Sequence, residues 1–189
     1  MRTGFAALVA LVVVGFLTRV LPHPMNFTPV VAMTLLAGTF APRAQRLAVA
    51  LALPLAAMWL SDLVLNNTVY AGYYEGFTLF GSWGAYPALV AVALLPLLSR
   101  MRGDAGWGRL GLLGVGGALA FFLVSNALVW ATSGTYPLDV AGLAACYAAG
   151  LPFFGNTLAS TLLFGGAGVW ALRGVEERGE ELVAQQRAS

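Results

Sequence analysis

The sequence has few of the residues from which soluble enzymes build their sites. Its 189 residues include one histidine, His23, one cysteine, Cys146, and no lysine. A single cysteine excludes an internal disulfide and a cysteine-built zinc site, and a single histidine excludes a multi-histidine metal site. We therefore expect no metal and no cofactor. The ten basic residues are all arginine, but the net charge of +2 is too small to indicate a nucleic-acid partner.

Sequence motifs for ATP binding and catalysis are also missing. The chain has no glycine-rich loop that ends in Lys-Ser or Lys-Thr, so it does not bind ATP through a P-loop. The glycine-rich segment 106–117 lies at and inside an apolar stretch, which is the wrong context for such a loop. We predict no catalytic residues and no enzymatic activity. A membrane enzyme that uses Asp62, His23 or Cys146 is the least favoured alternative.

Charge is scarce in the chain as a whole. Only 10% of the residues are charged and 59% are hydrophobic, with a mean hydropathy of +0.81. Soluble domains contain about 25% charged residues. A chain this apolar cannot cover its surface in water, so we predict an all-α integral membrane protein that is surrounded by the lipid bilayer. The length is sufficient for one compact bundle.

Apolar runs predict six transmembrane helices, because each span needs about 20 mostly apolar residues. The predicted spans are residues 4–17, 27–41, 47–65, 86–99, 110–130 and 153–172.

The last apolar stretch, from Leu138 to Leu172, is too long for one span. We expect Pro152 to divide it into a short half-buried helix at 138–150 and the sixth span. Residues 1–172 would then form the transmembrane domain, and residues 173–189 a polar, helix-compatible cytoplasmic tail.

The positions of the arginines predict the orientation. Segments on the cytoplasmic side of a membrane are enriched in lysine and arginine. With six spans and both termini in the cytoplasm, Arg19 is the only arginine on the outer side. The inner side then holds Arg2, Arg43, Arg46, Arg100, Arg102, Arg109, Arg173, Arg178 and Arg187. We predict a multi-pass protein of the cytoplasmic (inner) membrane.

Polar residues cluster toward the predicted outer ends of the helices. An ionisable residue inside a span costs several kcal/mol, so it usually faces the protein interior and has a partner. Asp62 is the clearest case, and Arg19 is its natural counter-ion. Two interpretations stay open. One is a purely structural ion pair, and the other is a pocket that opens outward and is lined by Arg19, His23, Asn26, Asp62, Asn66, Asn126 and Asn156.

The segment TRVLPHPMNFTP, residues 18–29, places the only histidine between two prolines. Prolines fix the backbone and remove N–H donors, which predicts a non-helical hairpin between the first two helices. Irregular backbone at membrane depth is tolerated where protein buries it or where it lines a wet cavity. His23 is either a turn residue at the membrane surface or a ligand-contacting imidazole. Asn26 is either a site residue or the cap of the second helix.

Further substrate-binding roles are predicted for residues of the other outer segments. Cys146 either packs among small residues or contacts the substrate. Aromatic stacking surface would come from Trp83, Trp130, Tyr136 and Tyr147. The long connection at residues 66–85 is our candidate lid over the pocket.

Four segments of the chain resemble signature blocks of the DUF6580 family of small bacterial membrane proteins. They read LPHPMNFTPVVAMTLLAGTF, SDLVL, FFLVSNALVW and YPLDVAGLAACYAAGLPFFGNTL, in that order, and extend from Leu21 to Leu158. The resemblance implies a membrane transport protein whose substrate is not established, and it does not supply a site by itself.

The predicted six-helix architecture also resembles the S-components of energy-coupling-factor (ECF) vitamin transporters. That resemblance implies capture of a micronutrient or vitamin at the outer face, with a transmembrane coupling protein and ATPases on separate chains. Ala6 and Ala10 fit the spacing of small residues through which S-components contact the coupling protein. A corrinoid is one candidate solute, with Cys146 as its cobalt ligand. The alternative is a non-transport scaffold or assembly subunit that binds a protein partner through the glycine face of the fifth helix.

Overall fold

The computed structural model describes residues 12–81, 84–100 and 104–188, and every regular element in these residues is helical. This confirms the all-α prediction. A short 3-10 turn lies at Ala71–Tyr73. The helices are α1 (12–20, from the first described residue), α2 (Val30–Phe40), α3 (Arg46–Asn67), α4 (Ala85–Leu98), α5 (Trp107–Thr132) and α6 (Val140–Ala188).

In the part of the chain that the structure describes, three helices are long and apolar enough to cross a membrane. They are α3, α5 and the Val140–Gln186 part of α6. Two others, α2 and α4, are apolar but have only 11 and 14 residues. At about 1.5 Å per residue, α2 extends over about 16 Å, roughly half of a hydrocarbon core about 30 Å thick. Helix α2 alone is therefore too short to cross a hydrocarbon core of that thickness.

The centre of the bundle is α2. Nine of its residues are buried, which is typical of a helix that is apolar on all sides. It packs against α3, α4, α5 and α6. Glycines permit this close approach, because an added Cβ at Gly38 would lie 2.5 Å from Pro96 and one at Gly168 would lie 2.3 Å from Leu36. Larger residues at these two positions would push α4 and α6 away from α2.

Residues 21–29 form the predicted non-helical turn between α1 and α2. The Phe27 amide donates to the Pro24 carbonyl at 3.0 Å and closes the turn. Asn26 has a φ of 62°, a left-handed conformation that asparagine tolerates better than most residues. The interpretation of Asn26 as the cap of α2 is wrong, because Pro29 precedes the first helical residue and no side chain caps it.

The predicted division of the last apolar stretch at Pro152 is also wrong, because α6 is continuous through this proline. Proline removes one backbone N–H donor and usually kinks or breaks a helix. Here the turn before it is held on α5, since the Tyr147 hydroxyl donates to the Leu123 carbonyl at 2.9 Å. The start of the helix is held as well, because the Gly142 amide donates to Asp139 Oδ1 at 2.7 Å. Helix α6 then continues through the polar tail to Ala188.

Candidate functional site

A cavity of about 430 Å³ lies beside the turn at residues 21–29. We call it the turn cavity. Its volume falls within the range of about 300–1,000 Å³ that is usual for small-molecule sites. It is lined by Arg19, His23, Met25, Asn26, Thr28, Asp62, Leu65, Asn66, Tyr70, Tyr74 and Phe153. Five of these are residues that the sequence predicts for the site, namely Arg19, His23, Asn26, Asp62 and Asn66.

The ion pair predicted between Arg19 and Asp62 is present in the wall of this cavity. Arg19 Nη2 contacts Asp62 Oδ1, and Arg19 Nε donates to Ser61 Oγ at 2.6 Å. The Tyr86 hydroxyl donates to Asp62 Oδ2 at 3.0 Å. Burying an ion pair is costly unless further hydrogen bonds satisfy its remaining groups. Here both carboxylate oxygens have a donor, and the network joins α1, α3 and α4.

The guanidinium of Arg19 keeps hydrogen-bonding capacity beyond this network. It carries five N–H groups, of which the bonds to Ser61 and Asp62 use two. Within the described ranges the other three have no protein acceptor. The side chain is 20% exposed and lines the turn cavity. Arg19 can therefore hold Asp62 and still donate to a molecule in the cavity.

Asn66 lies one helical turn after Asp62 and is only 5% exposed. Its Nδ2 is buried without a hydrogen-bond partner among the described residues. One side of the amide lies against Gly81, where an added Cβ would approach the amide atoms to 2.4–2.9 Å. A buried polar group left unpaired costs about 1–3 kcal/mol. Asn66 Nδ2 is therefore a donor without a hydrogen bond, on a residue that lines the turn cavity.

The adjacent Asn67, unlike Asn66, has hydrogen-bond partners at both ends of its amide. Its Nδ2 donates to the carbonyls of Leu63 and Thr78, both at 2.8 Å. Its Oδ1 accepts from the Thr78 amide at 2.8 Å. Asn67 therefore has a structural role, because it fastens the connection between α3 and α4 to the end of α3.

The mouth of the turn cavity carries His23 and two tyrosines. The exposed His23 ring donates from Nδ1 to the Leu21 carbonyl at 2.7 Å, so its neutral form presents Nε2 as an acceptor. Tyr70 and Tyr74 are 46% and 37% exposed and come from the connection that we predict to be a lid. Both rings line the cavity, and closure of this connection over a ligand stays a prediction.

Two smaller cavities adjoin the turn cavity. One of about 180 Å³ shares Arg19 and Asp62 with it and reaches Met58 and Phe121. The other, of about 190 Å³, is lined by Asn126. Asn26 lines all three cavities. The predicted Asn126 is therefore a neighbour of the turn cavity and not part of its wall.

The remaining predicted residues lie elsewhere. Asn156 donates to the Met25 carbonyl at 2.9 Å and so holds the turn in place. Buried Cys146 donates from Sγ to the Asn126 carbonyl at 3.3 Å, which is a packing role between α5 and α6. Trp130 Nε1 donates to the Pro137 carbonyl at 2.8 Å. Neither Tyr136 nor Tyr147 lines the turn cavity. Trp83, Ala6 and Ala10 lie outside the described residues.

Several residues of the site were missed by the sequence reasoning. Tyr86 is the first residue of a predicted span and lies on the same side as Asp62, so it could have been proposed as a donor to that carboxylate. Tyr70 and Tyr74 lie in an irregular connection, and their direction follows from the Asn67 anchor, which no sequence pattern indicates. Phe153 was missed because we placed the start of a helix at that position.

One family model matches the chain over residues 1–178, and its description is a family of unknown function, DUF6580. The chain belongs to this family. The match includes every residue of the turn cavity. The DUF6580 description assigns no activity, so the transport role implied by the resemblance is not part of what the match establishes. The chain matches no curated protein and no solved structure, so the likeness to S-components has no support from these comparisons.

Proposed function

We propose that this DUF6580 protein captures a small polar solute at the outer face of the cytoplasmic membrane for uptake into the cell. The observation that carries the proposal is the buried amide of Asn66, which has no partner in the described chain, at a cavity of about 430 Å³. An ion pair with a purely structural role would need neither the cavity nor the unpaired amide.

The proposal includes six spans with both termini in the cytoplasm. Three helices support membrane insertion by length and composition, and α1, α2 and α4 would complete the bundle. The distribution of arginines supports the orientation. In this orientation the turn at residues 21–29 and His23 face outward, so the turn cavity opens toward the outer solution.

The energy for uptake would come from other chains, because this one has no P-loop. We propose a transmembrane coupling protein and ATPases as partners, as in S-component systems, and a micronutrient or vitamin as solute. Cys146 packs on α5 and does not line the turn cavity. We therefore do not retain a corrinoid ligated by this thiol as the solute.

Depletion of the growth medium tests uptake of a solute whose identity is still open. Cells that lack the gene are compared with cells that express the native chain or the Asn66→Leu variant, and small molecules in the medium are followed by mass spectrometry. We expect the native chain to deplete at least one polar compound that both other strains leave behind. Gln45→Leu, which removes an amide at the opposite end of α3, is the control and should deplete the same compound. Identical depletion by all strains, with equal amounts of protein in the membrane, would overturn the proposal.

A scaffold or assembly subunit is the second candidate, and one observation favours it. An apolar cavity of about 150 Å³ lies between α2, α5 and α6 and is lined by Gly111, Gly114, Gly165 and Gly166. Small residues let a partner helix approach closely in membranes. An added Cβ at Gly166 would meet no atom within 4 Å. If this surface binds a membrane protein, Gly166→Leu should abolish its co-purification without unfolding the chain.

A further inference from the structure

The turn cavity has no net charge to offer a ligand. Its charged residues are Arg19 and Asp62, which are paired with each other. A cationic ligand would need a free carboxylate, but both oxygens of Asp62 already accept hydrogen bonds. An anionic ligand would need an unbalanced positive charge, but Asp62 neutralises Arg19. Burial of a ligand charge without a counter-charge is expensive, so the cavity favours an uncharged molecule.

A ligand that complements the hydrogen-bonding groups of the cavity must carry both acceptors and donors. Arg19 offers N–H groups only. The Asn66 amide has one donating and one accepting end, and a half-turn of its last torsion exchanges the two. Because Asn66 is buried, a ligand that pairs with only one end leaves the other unsatisfied. Asn66 Nδ2 is closed off from the cavity beside Gly81. Once the amide turns toward the cavity, a planar carbonyl next to an N–H group, as in a carboxamide or a lactam, would satisfy both of its ends with two parallel hydrogen bonds.

The apolar part of the wall suits a flat ring. Tyr70, Tyr74 and Phe153 line the cavity together with Met25 and Leu65. The two tyrosine rings keep accessible surface at the mouth. Aromatic rings of a ligand and a protein stack favourably, and a methionine thioether packs well on a ring. Arg19 of α1 and Asn66 of α3 would then orient the polar edge of a ligand ring, and Tyr70 and Tyr74 would cover the ring.

We propose that the ligand of the turn cavity is an uncharged planar heterocycle or aromatic ring that carries a carboxamide or lactam edge. The edge pairs with Asn66, the neighbouring carbonyl accepts from Arg19, and the ring lies against Tyr70 and Tyr74. The inference rests on the proposed capture of a solute, and it specifies the chemical class of that solute.

Two matched pairs of probes test this class by calorimetry on the purified full-length chain. In the first pair, nicotinamide carries a carboxamide where nicotinate carries a carboxylate. In the second pair, orotate carries a carboxylate that uracil lacks. We expect the uncharged member of at least one pair to bind about tenfold or more tightly than its anionic partner. Asn66→Leu should remove this binding, and Gln45→Leu should keep it.

The other results would overturn the assignment in distinguishable ways. Tighter binding of nicotinate or orotate, lost in Asn66→Leu, would refute the uncharged class and leave solute capture intact. No binding of any probe, with a molecule still co-purifying from the host, would also refute the class alone. No binding of any probe and no co-purifying molecule would overturn both the class and the proposed function.

Discussion

The Arg19–Asp62 pair is the most consequential contact at the scale of single residues. It lies in the bundle wall, and it is completed by a hydrogen bond that Arg19 donates to Ser61 and by one that Tyr86 donates to Asp62. Removing one member of a buried pair leaves the other charge uncompensated and typically costs about 3–5 kcal/mol.

We therefore expect Asp62→Leu and Arg19→Leu each to lower the free energy of unfolding by several kcal/mol, since each leaves a buried charge without its partner. The double variant should be more stable than the sum of the two losses predicts. Denaturant titration in detergent micelles measures all four proteins. Strict additivity of the two losses would show that the charges do not interact.

Substitution of Asn66 should raise the free energy of unfolding, unlike substitution of Arg19 or Asp62, because the Asn66 amide has no partner in the described chain. We expect Asn66→Leu to raise the stability of the ligand-free protein by about 1 kcal/mol, since it removes an unpaired buried amide and keeps a similar shape. Asn67→Leu is the matched comparison. It should destabilise the protein, because Asn67 makes three hydrogen bonds. A loss of stability in Asn66→Leu would instead assign this residue a structural role.

At the scale of elements, side-chain hydrogen bonds of Asn67 fasten the connection between α3 and α4 to the end of α3. Asn67, the last residue of α3, is joined to Thr78 within the connection by hydrogen bonds at 2.8 Å, and the residues between them include Tyr70 and Tyr74. Most of these intervening side chains are exposed, so few buried contacts hold the segment in place.

Asn67→Ala should therefore increase amide hydrogen exchange in residues 68–78, because segments with few buried contacts open readily. Thr68→Ala is the control, since Thr68 Oγ1 bonds only to the Val64 carbonyl of its own helix. Mass spectrometry of the exchanged peptides measures the effect. Equal exchange in both variants would mean that other contacts hold the connection over the cavity.

Elements also show how far the sequence could predict this structure. Apolar runs predict α3, α4 and α5 to within a few residues, because lipid burial demands long apolar segments. The turn at residues 21–29 follows from its three prolines.

The continuity of α6 through Pro152 could not be predicted from the sequence, because tertiary contacts on α5 decide it. The pairing of Arg19 with Asp62 followed from charge scarcity, since an isolated acid in a span needs a partner. The unpaired state of Asn66 depends on Gly81 and on the cavity, which only the fold reveals.

At the scale of the whole molecule, orientation in the membrane can be tested with single cysteines in a Cys146→Ser background. Ser133 lies between α5 and α6, and Asp104 lies between α4 and α5; both are exposed. With both termini inside, a membrane-impermeant thiol reagent should label Ser133→Cys in intact cells. It should label Asp104→Cys only after the membrane is opened. Labelling of both variants from the same side would refute the six-span topology.

The central claim is that the turn cavity holds a solute when the protein works. Native mass spectrometry of the full chain, gently purified from its own host, tests this claim most directly. We predict a co-purifying small molecule at one per chain that is lost in Asn66→Leu, reduced in His23→Ala and retained in Gln45→Leu. A ligand-free mass together with a co-purifying membrane protein would contradict the claim. In that case Asn66 would line a cavity without a solute, His23 would be a turn residue, and the protein would be an assembly subunit.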